Sequence, residues 1–154
     1  MTWNETIENF SHFLKFERNF SDNTLDAYIR DVKKLKAFSE EKLDNTTPDK
    51  ITFENLQEFL LYLTKEKISE RTQARGISSI KSFFKYLIEE EIREDNPSTL
   101  LEGPKLGLYL PDTLSFEDVE KIIKAIDLST DLGVRNHCII EVLYGCGLRV
   151  SELI

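Results

Sequence analysis

A chain of 154 residues with 40% hydrophobic residues, ten Phe and five Tyr is large and apolar enough to bury one sizeable core. That excludes a mini-protein and, despite 31% charged residues, intrinsic disorder, while a net charge of -8 runs against the basic balance usual in nucleic-acid binders. No apolar run reaches the roughly 18 residues of a membrane span, and Glu5, Glu8 and Glu17 stand where a signal peptide would be apolar, so a soluble, cytoplasmic protein is expected.

Residues 2–18 open on Thr2 and Glu5 at capping-box spacing and carry Trp3, Ile7, Phe10, Phe13 and Leu14 at helical intervals. Ser21 and Asp22 begin a second helix to about Glu41, with Leu25, Tyr28, Ile29, Val32, Leu35 and Phe38 on its apolar stripe. The turn-rich DNTTPDK stretch at 44–50 separates it from a third, capped by Thr52 and carrying Leu56, Phe59, Leu60 and Leu63. Ser69 starts a fourth, whose stripe of Ile77, Ile80, Phe84 and Leu87 is widened by Phe83 and Ile88. Four amphipathic helices with short links predict an all-α bundle.

Between Ile92 and Leu114 lie Pro97, Pro104 and Pro111 together with Gly103 and Gly107, a composition that predicts an interdomain linker. Beyond it, Ser115 and Asp118 cap a fifth helix with Val119, Ile122, Ile123 and Ile126, and a sixth carries Ile139, Ile140, Val142 and Leu143 up to Gly145 and Gly147. RVSELI at 149–154 opens a further helix with no stop signal, so a second domain has begun without its body. Cys138 and Cys146 on the sixth helix offer neither a disulfide framework nor, with His137, zinc-ligand spacing, and are expected to be buried structural cysteines; Tyr144 is expected in the core. No phosphate-cradling glycine loop is present. Neither a cofactor nor a metal is expected.

On the fourth helix Arg71, Arg75, Ser78, Ser82 and Lys85 recur at four- and three-residue intervals and form one stripe opposite the apolar one, with Lys81 flanking it. From Arg71 to Ile88 there is no Asp or Glu. Such a face suits DNA, since Arg and Lys displace counterions and serines allow close approach to phosphates, in a helix that fits a major groove. Taken alone, a single helix face of this kind is more often an ordinary solvated surface. On the second helix Arg30, Lys33, Lys34 and Lys36 are mixed with Asp26 and Asp31, and charge alone leaves DNA binding as the minority reading.

Three phrases in order, SDNTLDAYIRDVKKL at 21–35, RTQARGISSIKSFFKYL at 71–87 and LYGCGLRVSEL at 143–153, resemble the tyrosine recombinase (phage integrase) family, above all its Xer-type members and related phage or transposon integrases. Asn96-Pro97 and Pro104-Lys105 fit the same pattern. The resemblance implies a four-helix core-binding (SAM-like) domain over 1–103, a linker at 104–111 and the truncated helical start of a catalytic domain at 112–154. With no arm-binding domain ahead of the module, a Xer-like or simple integrase is expected.

In that family the second and fourth helices face the major groove, which implies DNA contacts at Thr24, Tyr28, Arg30, Arg71, Arg75, Ser78, Lys81 and Lys85. Tyr28 fits core packing as well. Family members cut DNA by attack of a tyrosine hydroxyl on a backbone phosphate, giving a 3'-phosphotyrosine and a free 5'-hydroxyl without a metal, and they assemble as tetramers on two sites. The charge that develops on phosphate calls for bidentate arginines. Arg149 matches the family's first catalytic arginine, with Glu152 one turn on to orient it. The family's lysine, His-x-x-Arg pair, later His or Trp and nucleophilic tyrosine have no counterpart here, so the chain is expected to bind double-stranded DNA and not to cleave it. Lys81 stands where Arg is common and Cys146 where Thr is common, and Gly76 costs the fourth helix roughly 1 kcal/mol relative to alanine. The competing classes are a helical protein-interaction module with an acidic surface and a complete enzyme.

Overall fold

The computed structural model describes residues 2–65, 68–104, 107 and 113–154, and the regular structure among them is helical throughout. The elements are α1 (Trp3–Phe16), α2 (Asp22–Lys42), a short 3-10 turn (Pro48–Lys50), α3 (Phe53–Lys65), α4 (Glu70–Glu89), α5 (Phe116–Lys124), α6 (Asp131–Cys146) and α7 (Val150–Leu153). Two compact units divide the chain, Met1–Gly107 and Leu108–Ile154. Of the 104–111 stretch expected as a linker, only Pro104 and Gly107 are among the described residues; Lys105 and Pro111 lie outside them.

Each helix of the first unit begins where a side-chain oxygen satisfies an orphan backbone N–H. Thr2 and Glu5 form the reciprocal box of α1, and the hydrogen bond from the Thr2 backbone holds the Glu5 carboxyl below its usual range. Ser21 and Ser69 accept from Thr24 and Thr72 at the starts of α2 and α4. At α3, Thr52 Oγ1 accepts from the Asn55 N–H while Asn55 Oδ1 accepts from the Thr52 N–H, at 3.3 and 3.0 Å.

The core lies wholly between Trp3 and Leu101. α2 packs against α1 and α4, and α4 also meets α1 and α3. Its centre is aromatic: Phe83 meets Phe10 edge-on at 5.2 Å and stacks on Trp3 at 6.0 Å, while Tyr86 lies against Phe10 and Phe13. Burial pushes the Tyr86 hydroxyl pKa up. The Thr46 carbonyl accepts from both Trp3 Nε1 and Ser39 Oγ, at 2.9 and 2.7 Å, fixing the turn after α2 onto the start of α1.

In the second unit Ser115 and Asp118 form the capping box of α5, and α6 ends on Gly147 in the left-handed region at φ 63°. Little is buried there: among its described residues only Val119 and Gly133 are. Two expectations are corrected as a result. Cys138 and Cys146 are exposed, not buried, and Tyr144 is 50% exposed, touching Phe116 and not forming core. All three do lie on α6 as expected, but among the described residues of this unit little packs over that helix.

Candidate nucleic-acid interface

The outer face of α4 follows from its buried one. Ile77, Ser79, Ile80, Phe83, Phe84, Tyr86 and Leu87 turn inward, which leaves Arg71, Ser78 and Lys85 exposed on the opposite side, with Arg75, Lys81 and Ser82 half-buried at its margins. Ser78 Oγ donates to the Ala74 carbonyl, so its lone pairs face solvent from a fixed position. Lys85 reaches Glu89 at 3.7 Å, and Glu89 also accepts twice from Arg18 NH2. Among the described residues Lys81 and Arg30 have no ion-pair partner.

On α2, Thr24 sits in the first turn, bonded to Ser21, and Arg30 is exposed. Tyr28 is half-buried against the core and meets Phe20 edge-on at 5.2 Å, so of its two roles the packing one is occupied.

Arg75 differs from its neighbours. Its Nε and NH2 donate to Asp31 Oδ2 and Oδ1 of α2 at 3.0 and 3.2 Å, a bidentate pair in which Asp31 is 3% exposed and Arg75 39%. Ser79 Oγ donates to the same Oδ2 at 3.0 Å, and Lys34 Nζ stands 3.8 Å from Oδ1. The hydrogen bond to Asp31, and its charge, raise the Arg75 pKa further above its ordinary value. Arg75 is therefore a partly neutralised cation, and Asp31 is the site residue that charge counting overlooked. A signal existed: at about 100° per residue Asp31 falls between Leu35 and Phe38 on the buried face of α2.

Arg149 occupies the N-cap of α7 with its side chain 83% exposed. Glu152 accepts from the Arg149 backbone N–H at 2.7 Å and from its NH1 at 3.1 Å, which ties the guanidinium to the first turn of the helix. No group of three or more His, Cys, Asp or Glu that would hold a metal ion occurs among the described residues, and no helix among them is long and apolar enough to cross a membrane.

The model of the family described as "Phage integrase, N-terminal SAM-like domain" matches residues 7–91, which span α1 to α4. The chain belongs to the phage integrase, or tyrosine recombinase, family. Curated relatives include the tyrosine recombinase XerD of Oceanobacillus iheyensis, 43% identical over 148 residues, which cover 96% of this chain and 50% of the relative. Tyrosine recombinase XerC of Natranaerobius thermophilus is 38% identical over 150 residues, covering 97% of this chain and 50% of that one. This tyrosine recombinase chain thus spans about half the length of the curated relatives it matches. Among solved structures, the Tn1549 transposon integrase in complex with a circular intermediate DNA superposes with a TM-score of 0.65 at 18% identity, over 96% of this chain and 46% of that one. A second complex of the same integrase gives 0.62 at 19% identity, over 96% and 48%. At these identities the likeness shows the helical fold alone.

Proposed function

We propose that this chain binds duplex DNA through the α2–α4 face of its first unit, as the N-terminal part of a Xer-type site-specific tyrosine recombinase. Residues 1–103 then act as the core-binding domain, 104–111 as the linker and 112–154 as the start of the catalytic domain. One observation carries the proposal: in a chain of net charge -8, the stretch Arg71 to Ile88 has no acidic residue and turns Arg71, Ser78 and Lys85 outward beside α2. Membership of the recombinase family and the DNA held by the structurally similar Tn1549 integrase support it.

Within such a recombinase Arg149, steadied by Glu152, stabilises the negative charge that develops on the phosphate under attack. Strand cleavage is not expected from these residues alone. Of the tyrosines, Tyr86 is buried with its pKa raised and Tyr28 packs on Phe20, and no His-x-x-Arg pair accompanies Arg149 within the 154 residues. Assembly of recombinase protomers as a tetramer on two DNA sites belongs to the same proposal.

A gel-shift titration over salt tests DNA binding. Wild-type chain should shift duplex DNA at low salt and lose affinity steeply as salt rises, with Lys81→Ala and Lys85→Ala each reducing the log–log salt slope by about 1. Absence of any shift at low salt, or an unchanged slope in both variants, would overturn the proposal.

A further inference from the structure

Arg75 is held by one edge only. A guanidinium carries five N–H donors in a planar fork, and Arg75 commits Nε and one hydrogen of NH2 to Asp31. Among the described residues no acceptor engages its NH1. Both NH1 hydrogens and the outer NH2 hydrogen therefore remain, on an edge of a side chain 39% exposed at the margin of the α4 face. That outer edge is itself a parallel pair of donors, the geometry that accepts two oxygens or an oxygen and a nitrogen at once.

The carboxylate behind it is firmly seated. Asp31 is 3% exposed, accepts from the buried Ser79 Oγ at 3.0 Å and has Lys34 Nζ at 3.8 Å. The Ser79 hydroxyl also lies 3.1 Å from the Arg75 carbonyl one turn back, so its one hydrogen is shared between the two acceptors. Gly76 adds no side chain at the contact, where a Cβ would come 4.0 Å from Asp31 Cγ. Most of the rotamer freedom of a long arginine is thus already lost before any ligand arrives, and the cost of ordering it on binding falls accordingly. Neutralisation by Asp31 weakens the long-range pull of Arg75 on DNA, while the directional donors are kept.

We propose that Asp31 is a positioning residue that buttresses Arg75, so that the outer NH1/NH2 edge takes a pair of acceptors on duplex DNA. Two sources offer that pair: the oxygens of one backbone phosphate, and O6 with N7 of a guanine in the major groove. The inference rests on the duplex-DNA function proposed above.

A double-mutant cycle on the full chain tests it, with a mixed-sequence duplex of about 30 bp as probe and the salt concentration varied. Circular dichroism confirms that each variant is folded. Arg75→Ala should weaken binding roughly tenfold, and Asp31→Asn, which keeps the shape but loses the charge and one acceptor, should weaken it severalfold. The double variant should bind no worse than Arg75→Ala, because Asp31 acts through Arg75. Arg75→Lys, with no fork, should not restore binding. If Asp31→Asn does not fold, Ser79→Ala, which frees Asp31 from one side, takes its place with an expected two- to threefold loss that vanishes in the Arg75→Ala background. A reduced salt slope in Arg75→Ala identifies phosphate as the acceptor, whereas an unchanged slope with relaxed preference in a randomised-duplex selection identifies guanine. Asp31→Asn binding as well as wild type or better, or losses that add in the double variant, would refute the buttress. Failure of the wild type itself to bind at low salt would instead refute the DNA-binding proposal.

Discussion

Arg93 follows α4 with its side chain 6% exposed, and its guanidinium is divided among several partners. NH1 donates to the Pro48 and Ile51 carbonyls at 3.0 and 2.7 Å, NH2 to both oxygens of Asp95 at 3.0 Å, and the group lies 5.4 Å from the centre of the Phe84 ring. Its Nε is buried without a hydrogen-bond partner among the described residues. One side chain thereby satisfies two carbonyls of the turn ahead of α3, more than forty residues away in sequence. Lysine cannot reproduce a planar fork, so Arg93→Lys cannot hold the two carbonyls and the Asp95 carboxylate at once, and should cost about 1–3 kcal/mol. Urea unfolding measures this as a lower midpoint at unchanged slope; a midpoint equal to that of the wild type would mean that water replaces the lost donors. Neither this clamp nor the Asp31–Arg75 pair stands out in a residue-by-residue view of charge, because both join residues distant in sequence. Asp31 at least announced itself by its position among Leu35 and Phe38, whereas nothing local marks Arg93.

At the level of the helix, α4 carries two residues that its own geometry does not favour. Gly76 lies inside the continuous helix Glu70–Glu89, where an added Cβ would make ordinary contact with Asp31 Cγ at 4.0 Å. Glu91 lies just past the end at φ 55°, with the Ile92 N–H bonded to the Leu87 carbonyl and the Glu91 N–H to that of Ile88, the position where glycine normally closes a helix. Gly76→Ala and Glu91→Gly should therefore each stabilise the first unit by up to about 1 kcal/mol, through backbone freedom lost in one case and left-handed strain relieved in the other. The two sites share no contact, so the double variant should show the sum in chemical denaturation. A destabilised Gly76→Ala would show that α2 and α4 already touch too closely there to accept a methyl group. The helices themselves were legible because caps and apolar spacing agree: Thr2 with Glu5, Ser21, Ser69 and Ser115 all cap where the pattern begins. Helix ends were less so, since the closure at Glu91 depends on backbone geometry that no glycine advertises.

Across the whole molecule the distribution of burial is lopsided. Every residue of the main core cluster lies between Trp3 and Leu101, and the apolar positions spaced along the first, second and fourth helices supply most of it, so the core was legible from periodicity. Burial in the second unit was not, because spacing identifies an apolar face but not what covers it. There Phe116, Leu132, Val134, Tyr144 and Val150 are each at least 50% exposed, a quantity of apolar surface unusual for a folded monomer. The two units should therefore separate in their solution behaviour. A chain shortened to residues 1–107 keeps the entire cluster and should melt at the temperature of the full chain; a loss of even 1 kcal/mol would lower Tm by about 4–8 °C and be readily seen. The full chain should bind a hydrophobic dye and self-associate as its concentration rises, and the shortened chain should do neither. Dye binding that persists undiminished in residues 1–107 would move the exposed apolar surface to the first unit, where Phe16, Leu61 and Leu100 are the exposed candidates.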